Sequence, residues 1–179
     1  MNGATPRRLE AGTAPNRNES PKESQPVDNL DELVVFLLSE QRYALALPSV
    51  LRVVRAVEMT PLPKAPAIIL GIINVGGEII PVVDLRRRFQ MAVHGLQWTD
   101  QLIIARTARR TVALPVDQVL GVVPIAPAQV AAADAALDGV PHVAGVLKLA
   151  DGLVLIHDLE QCLSPGEEQA LSIALEDDA

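Results

Sequence analysis

The chain has 179 residues, of which 49% are hydrophobic and only 2% are aromatic. This length supports one ordinary domain or two small barrels that share a core. Because aromatic residues are so few, the core has to be built from Val, Ile, Leu and Ala, a composition that favours β-strands. The net charge of -7 disfavours general binding to nucleic-acid phosphates. The single cysteine, Cys162, excludes an intramolecular disulfide and fits a reducing compartment.

Residues 1–31 are predicted to form a disordered N-terminal arm. Prolines alternate there with Asn, Ser, Glu, Lys and Arg, so little apolar surface is available to offset the entropy of ordering. The first residues, 1–8, are not followed by the apolar segment of a secretory signal. No apolar stretch reaches the ~20 residues that a membrane span needs. We therefore expect a cytoplasmic protein without a membrane-inserted segment.

Short strands are predicted throughout the chain from Leu33 onward. Gln41-Arg42 is interpreted as the first turn, and Gly76-Gly77 as a two-residue hairpin turn between two apolar segments. The proline-rich segment 60–66 is predicted to be a loop, and segment 127–141 a long connection. The apolar segments predict strands over 33–38, 43–47, 53–57, 70–75, 78–83, 102–105, 111–116, 119–125, 143–149 and 153–157.

Two helices are predicted from their N-caps. Asp84 is placed to cap a short helix over 85–89. Ser164, followed by Pro165 and by Glu167 at the third helical position, predicts a capping box at the start of a C-terminal helix. The basic run 86–88 on the short helix is interpreted as a solvated face, with contact to a partner as the alternative.

The sequence contains an internal repeat. Residues 71–85 align without a gap on residues 145–159, and residues 43–54 align in the same way on residues 112–123. The first alignment matches a glycine with a glycine and an Asp-Leu pair with an Asp-Leu pair, which aliphatic strands in general do not require. We interpret the pattern as a structural duplication. Each copy alone would have a thin core of marginal stability, so the two are expected to pack together.

The same residues resemble the CheW-like domain family. Segment 71–86 resembles the signature hairpin of these domains, and Thr60-Pro61-Leu62-Pro63 resembles the loop before it. Segment 116–119 is similar to the family's Val-Asp-x-Val element, and segment 145–159 to its closing hairpin. Together with a first hairpin over 33–45, the match runs from about residue 33 to 163 in the family's order. This ordered match is more specific than any one of the motifs.

The resemblance implies an all-β fold of two intertwined SH3-like five-stranded barrels, with short helices after the signature hairpins. This CheW-like domain would occupy residues 32–165, with pseudo-repeat units over 33–89 and 102–163. A C-terminal helix and acidic tail would follow over 166–179. The implied function is that of a non-catalytic chemotaxis adaptor in signal transduction, without a cofactor. Its partners would be the regulatory domain of a CheA-type histidine kinase and the cytoplasmic tip of a methyl-accepting receptor.

The resemblance also implies which residues contact the partners. Residues after the first hairpin would bind the kinase, and residues around the signature hairpin would bind the receptor. The implied kinase-binding residues are Leu47, Val50 and Val53, and the implied receptor-binding residues are Arg52, Asn74, Val75, Gly76 and Glu78.

Two positions depart from the family pattern. Family members usually have Arg where this chain has Gly76, and often Glu where it has Arg52. One hypothesis is that Arg52 supplies the missing positive charge from the other side. The alternative is an orphan scaffold whose surface has been retuned for a different receptor or kinase.

We predict no enzymatic activity and no metal site. His94, His142 and His157 have no partners at metal-ligand or triad spacing, and no glycine-rich phosphate loop is present. A third function, a small barrel that binds nucleic acid, would need aromatic side chains for base stacking and a positive groove. The low aromatic content and the negative net charge argue against it.

Overall fold

The computed structural model describes residues 31–132 and 142–178. The predicted arm lies outside these ranges except for Asp31, and so does most of the predicted connection over 127–141. The strands are β1 (Glu32–Leu38), β2 (Gln41–Ala46), β3 (Val50–Arg55), β4 (Ile69–Val75), β5 (Glu78–Val83), β6 (Gln101–Arg106), β7 (Thr111–Val116), β8 (Gln118–Pro124), β9 (Val130–Ala132), β10 (Val143–Leu149) and β11 (Gly152–His157). The helices are α1 (Leu85–Arg88) and α2 (Pro165–Asp177), and 3-10 turns form at Leu47–Ser49, Pro127–Gln129 and Leu159–Gln161.

The strands form a six-stranded sheet in the order β8-β1-β2-β11-β10-β9 and a five-stranded sheet in the order β3-β6-β7-β5-β4. Each sheet therefore combines the first hairpin of one repeat with the later strands of the other. Parallel pairing joins the two contributions, between Ile156 and Ala44 in one sheet and between Val82 and Ala113 in the other. This exchange confirms the prediction of two intertwined barrels.

The two repeats share their irregularities as well as their strands. The ladder between β4 and β5 shifts register before Gly71, and the ladder between β10 and β11 shifts before Gly145. Asp84 caps α1 by accepting a hydrogen bond from the backbone N–H of Arg86, as predicted, at 3.0 Å. Asp158 does the same for Glu160 at 3.1 Å. The matched Gly and Asp positions of the sequence alignment thus occupy matched geometric roles.

Buried aliphatic side chains form three clusters. One lies with the six-stranded sheet and includes Leu33 and Leu147, and another lies with the five-stranded sheet and includes Ile73 and Leu102. The largest, here called the central cluster, draws on both sheets and on α2. Alternate residues of the first hairpins face different clusters, which explains why these strands are apolar at nearly every position instead of at every second one. The central cluster contains Phe36, Leu38, Tyr43, Leu45, Ile103, Ala105, Val112, Leu114 and Val116 among its members.

Three predicted boundaries are wrong. The first turn is Ser39-Glu40, where both residues have positive φ angles of 47° and 69°. These are the angles that a two-residue hairpin turn of the I′ type demands. The turn predicted at Gln41-Arg42 is instead the start of β2, and the third strand begins at Val50 instead of Val53. The connection over 127–141 contains a further strand, β9, which pairs with β10.

The prediction that the basic run on α1 is solvated is also wrong. Arg86 is only 2% exposed and forms an ion pair with Asp117, in the turn between β7 and β8. Arg88 pairs with Glu167 at the start of α2, and donates to the backbone carbonyl of Cys162 at 3.0 Å. These arginines therefore tie the first repeat to the second. Their partners lie far along the chain, so a local charge pattern cannot reveal them.

The capping box at the start of α2 is confirmed. The Ser164 hydroxyl accepts from the Glu167 backbone N–H at 3.2 Å, and the Glu167 carboxylate accepts from the Ser164 N–H at 2.7 Å. The helix then buries Leu171 and Ala174 in the central cluster. It is the longest helix in the described part of the chain, and neither helix there is long and apolar enough to span a membrane.

We expect Gly71→Ala to destabilise the fold. A Cβ on Gly71 would lie 2.5 Å from the Thr60 carbonyl oxygen and 2.7 Å from the Met59 side chain. Relieving this overlap requires the backbone to shift, at a cost of about 2 kcal/mol in the free energy of unfolding. Urea denaturation measures the loss. Gly95→Ala is the matched control, because nothing lies within 4 Å of a Cβ at that position, and an equal effect of both changes would contradict the packing.

We expect His157 to make stability depend on pH. His157 is 3% exposed, its Nδ1 lies 2.8 Å from the His142 carbonyl, and burial lowers its pKa to about 4. An unfolded histidine titrates near 6.5, so the unfolded chain binds the proton more readily. Stability should be complete above pH 6.5 and fall as the pH drops towards 4, by about 3 kcal/mol at most.

The test is the urea midpoint measured between pH 7 and pH 4.5. His157→Asn keeps an N–H donor towards the carbonyl but does not titrate, so its midpoint should vary less with pH than that of the wild type. His94→Asn is the control, because His94 is 42% exposed. An unchanged pH slope in the His157 variant would count against this origin of the effect.

Candidate docking surface

The residues predicted to bind partners lie in two places: in the 3-10 turn before β3 and on β3 itself, and at the turn between β4 and β5 with the strand ends that flank it. β3 is an edge strand that pairs only with β6, whereas β4 is the opposite edge of the same sheet. The ladder from Arg52 to Arg55 is regular, and the pairing with β6 skips Leu51. Such a bulge redirects the side chains of the strand at that point.

The three residues predicted to bind the kinase differ in exposure. Leu47 is half-buried in the 3-10 turn before β3, and Val50 is half-buried against the central cluster. Val53 is exposed to 39%. Leu51, which the sequence analysis did not select, is exposed to 49% because the bulge turns it outward. Val53 and Leu51 are therefore the apolar side chains that this strand presents to solvent.

The residues predicted to bind the receptor surround the Gly76-Gly77 turn. Both glycines have positive φ angles, of 64° and 90°, as the predicted two-residue turn requires. The Asn74 side chain closes this turn by accepting a hydrogen bond from the Gly77 N–H at 2.9 Å. Asn74, Gly76 and Glu78 are exposed, whereas Val75 is half-buried. A backbone held in this way presents its exposed side chains in a defined geometry.

Arg52 joins the two groups of residues. Its Nη2 donates to the Val75 carbonyl at 3.5 Å, and lies 4.0 Å from the position that a Cβ on Gly76 would take. The Arg52 guanidinium thus lies beside the Gly76-Gly77 turn, which has no basic side chain of its own. Within residues 31–132 and 142–178 neither Arg52 nor Arg55 forms an ion pair. β3 therefore presents two exposed guanidinium groups that no carboxylate of the described residues pairs with.

The internal repeat places a second apolar strand on the surface. Leu120 and Val122 of β8 align with Leu51 and Val53, and are exposed to 47% and 49%. The alignment of residues 43–54 on residues 112–123 contains this match, but an alignment of apolar positions does not indicate which of them are exposed. The edge strands β3 and β8 consequently both present apolar side chains.

A cavity lies away from this surface, between the turn after β6 and the start of α2. Its volume is about 420 Å³, and its lining includes Cys162, His142 and Glu168. Burial raises the pKa of the Cys162 thiol to about 12, so the thiol stays protonated and unreactive at neutral pH. Glu168 pairs with Arg110. Among the described residues no group of three His, Cys, Asp or Glu side chains could hold a metal ion.

The exchanged hairpins, the two exposed edge strands and the glycine turn define a double-barrel scaffold of the SH3-like kind. The family model for the CheW-like domain matches residues 32–166. The chain belongs to the CheW-like domain family.

Named proteins and a solved structure are similar to the chain over most of their length. The chemotaxis protein CheW of Treponema pallidum is 25% identical over 151 residues, which cover 81% of this chain and 89% of that protein. The chemotaxis protein CheW of Rhizobium meliloti is 28% identical over 148 residues, 78% of this chain and 91% of that protein. A crystal structure of the scaffolding protein TtCheW from Thermoanaerobacter tengcongensis superposes with a TM-score of 0.70 at 31% identity, covering 78% of this chain and 96% of that one.

Proposed function

We propose that this protein is a non-catalytic chemotaxis adaptor that couples methyl-accepting receptors to a CheA-type histidine kinase in the cytoplasm. The match to the CheW-like domain over residues 32–166 carries the proposal, and the similarity to proteins named chemotaxis protein CheW supports it. An adaptor acts through surface complementarity, so its chemistry lies in exposed apolar and charged side chains. The edge formed by β3 and the β4–β5 turn supplies both kinds.

The kinase partner is assigned to the apolar part of this edge. Leu47, Val50 and Val53 are the proposed kinase-binding residues, and the bulge adds Leu51 to them. Val53 and Leu51 are the exposed members. Val50 packs partly against the central cluster and so attaches β3 to the protein interior. Affinity is expected to rest on a few such aliphatic anchors instead of on the total buried area.

The receptor partner is assigned to the polar part of the edge, which consists of Arg52, Asn74, Val75, Gly76 and Glu78. The contact between Arg52 and the Val75 carbonyl supports the hypothesis that Arg52 brings a positive charge to the turn from β3. The exposure of this basic side chain favours a second candidate, an adaptor with an altered partner. Family members often have Glu where this chain has Arg52, so the charge at this position would have the opposite sign for a receptor.

Nucleic-acid binding finds less support. Base stacking needs aromatic faces, and Phe36 and Tyr43 are 0% and 6% exposed. Trp98, in contrast to these two aromatic side chains, is exposed to 86%.

We expect Val53→Asp to abolish most kinase binding. A carboxylate buried without a partner in a protein interface costs about 3 kcal/mol or more, which is roughly a hundredfold in affinity. Isothermal titration of the full chain with a CheA-type regulatory domain measures the loss, and single-stranded DNA serves as a ligand that should not bind.

The matched control for this change is Val122→Asp on β8. Val122 occupies the aligned position of the other repeat and is similarly exposed, at 49%. It should retain wild-type affinity. Loss of binding in the Val122 variant with none in the Val53 variant would place the kinase on β8 instead. Failure of the wild-type chain to bind the regulatory domain would contradict the adaptor function itself.

Restoring the charges of the family pattern tests the receptor surface. If the surface has been retuned, the double variant Arg52→Glu with Gly76→Arg should bind the tip of a standard receptor at least several-fold more tightly than the wild type. The side chain at position 76 must adopt a positive φ, which costs about 1 kcal/mol. Arg52→Gln with Gly76→Asn is the control, because it changes the same positions without adding an acidic or basic side chain. No gain from the charged pair would argue against retuning.

A further inference from the structure

Trp98 is the chain's only tryptophan, and its side chain is left in water. It is exposed to 86%, more than any other large hydrophobic side chain of the described residues. Burying an aromatic side chain of this size is strongly favourable. Tryptophan and arginine are also the residue types most enriched at the energetic centres of protein interfaces. An exposed Trp on a stable turn therefore points to a docking site.

The turn that carries Trp98 is held rigidly. Asp100 is 4% exposed, and its carboxylate accepts from the Gln97 N–H at 2.9 Å while its own N–H donates to the Gln97 carbonyl at 3.0 Å. The Asp100 carbonyl in turn accepts from the Ala56 N–H at 3.0 Å, just beyond β3. A side chain presented on such a turn loses little conformational entropy when a partner binds.

A cavity of about 340 Å³ opens beside the indole. One of its lining residues is held in place, because the Gln101 side chain accepts a hydrogen bond from the Val119 N–H at 2.6 Å. The cavity is small enough for one or two side chains of a partner. Its lining residues are Arg55, Trp98, Thr99, Gln101, Asp117 and Gln118.

The charge of this cavity is set by Arg55. The other charged lining residue, Asp117, is already neutralised by the buried Arg86, and its second oxygen accepts from the Ser39 N–H at 2.6 Å. Arg55 is exposed and makes no ion pair with any residue of 31–132 or 142–178. A carboxylate is the group that complements an uncompensated guanidinium.

The cavity continues the docking surface of β3. Val53 and Arg55 lie two residues apart on a regular part of the ladder, opposite Ile103 and Gln101, so their side chains project from the same face of the strand. An occupant of the Trp98 cavity would thus meet Val53 as well.

We propose that Trp98 and Arg55 form a second anchor of the kinase-docking face, which receives an acidic segment of the kinase regulatory domain. An apolar side chain of that segment packs on the indole, and a neighbouring carboxylate pairs with Arg55. This inference rests on the proposed adaptor function, and it assigns to this chain a specificity determinant outside the predicted binding residues.

The single tryptophan makes the inference directly observable. With 5-fluorotryptophan incorporated, the full chain gives one ¹⁹F NMR signal, which tryptophans of the kinase domain do not obscure. Adding the unlabelled regulatory domain should shift this signal and reduce its exposure to solvent. Sedimentation reports independently whether the complex forms. A complex with an unmoved signal would overturn the anchor and leave the adaptor function standing, whereas the absence of any complex would overturn both.

Affinity measurements on variants complete the test. Trp98→Ala should weaken binding at least tenfold and Arg55→Ala several-fold. The double variant should lose less affinity than the product of the two effects, because both residues bind the same segment of the partner. Ile173→Ala and Arg109→Ala are controls, since both side chains are exposed elsewhere on the protein. Wild-type affinity in the Trp98 variant, or equal losses in the controls, would refute the anchor.

Discussion

The structure depends on the burial of both faces of the two first hairpins. Residues of β1, β2, β6 and β7 face either a barrel interior or the central cluster. Each hairpin therefore separates two buried clusters and contributes side chains to both. Phe36, Leu45, Ile103 and Leu114 are 0% exposed, and each buried side chain of this size contributes about 2 kcal/mol. Because each hairpin completes the sheet of the other repeat, neither half can keep its core without its partner.

This exchange also determines where the protein can bind others. The hairpins take inner positions in the sheets, and β3 and β8 lie at edges. The outward faces of these two strands carry apolar side chains that belong to none of the three buried clusters. Arg52 then lies against the β4–β5 turn, although β3 and β4 are opposite edges of their sheet. The docking surface is thus a consequence of how the core closes.

Most of the buried polar groups support this architecture. Asp84 caps α1, the pair of Arg86 and Asp117 links the repeats, and His157 bonds the backbone at His142 while its ring meets Phe89 edge-on at 5.1 Å. Groups of this kind are costly to bury unless partnered, so their partners have to be in place when the barrels close. A scaffold that presents fixed surfaces benefits from such a rigid interior.

The amino-acid sequence alone determined the local features. Interactions within a few residues account for the apolar segments, the Gly76-Gly77 turn, the Asp84 cap and the Ser164 capping box. The glycine at the register shift and the Asp cap occur in both copies of the repeat. Only the tertiary structure decided that Arg86 is buried, that Val50 faces inward while Leu51 faces outward, and that Trp98 stands in solvent. Those outcomes depend on a bulge in β3 and on partners more than twenty residues away. A pattern along the chain does not indicate which distant side chains will pack against a given residue.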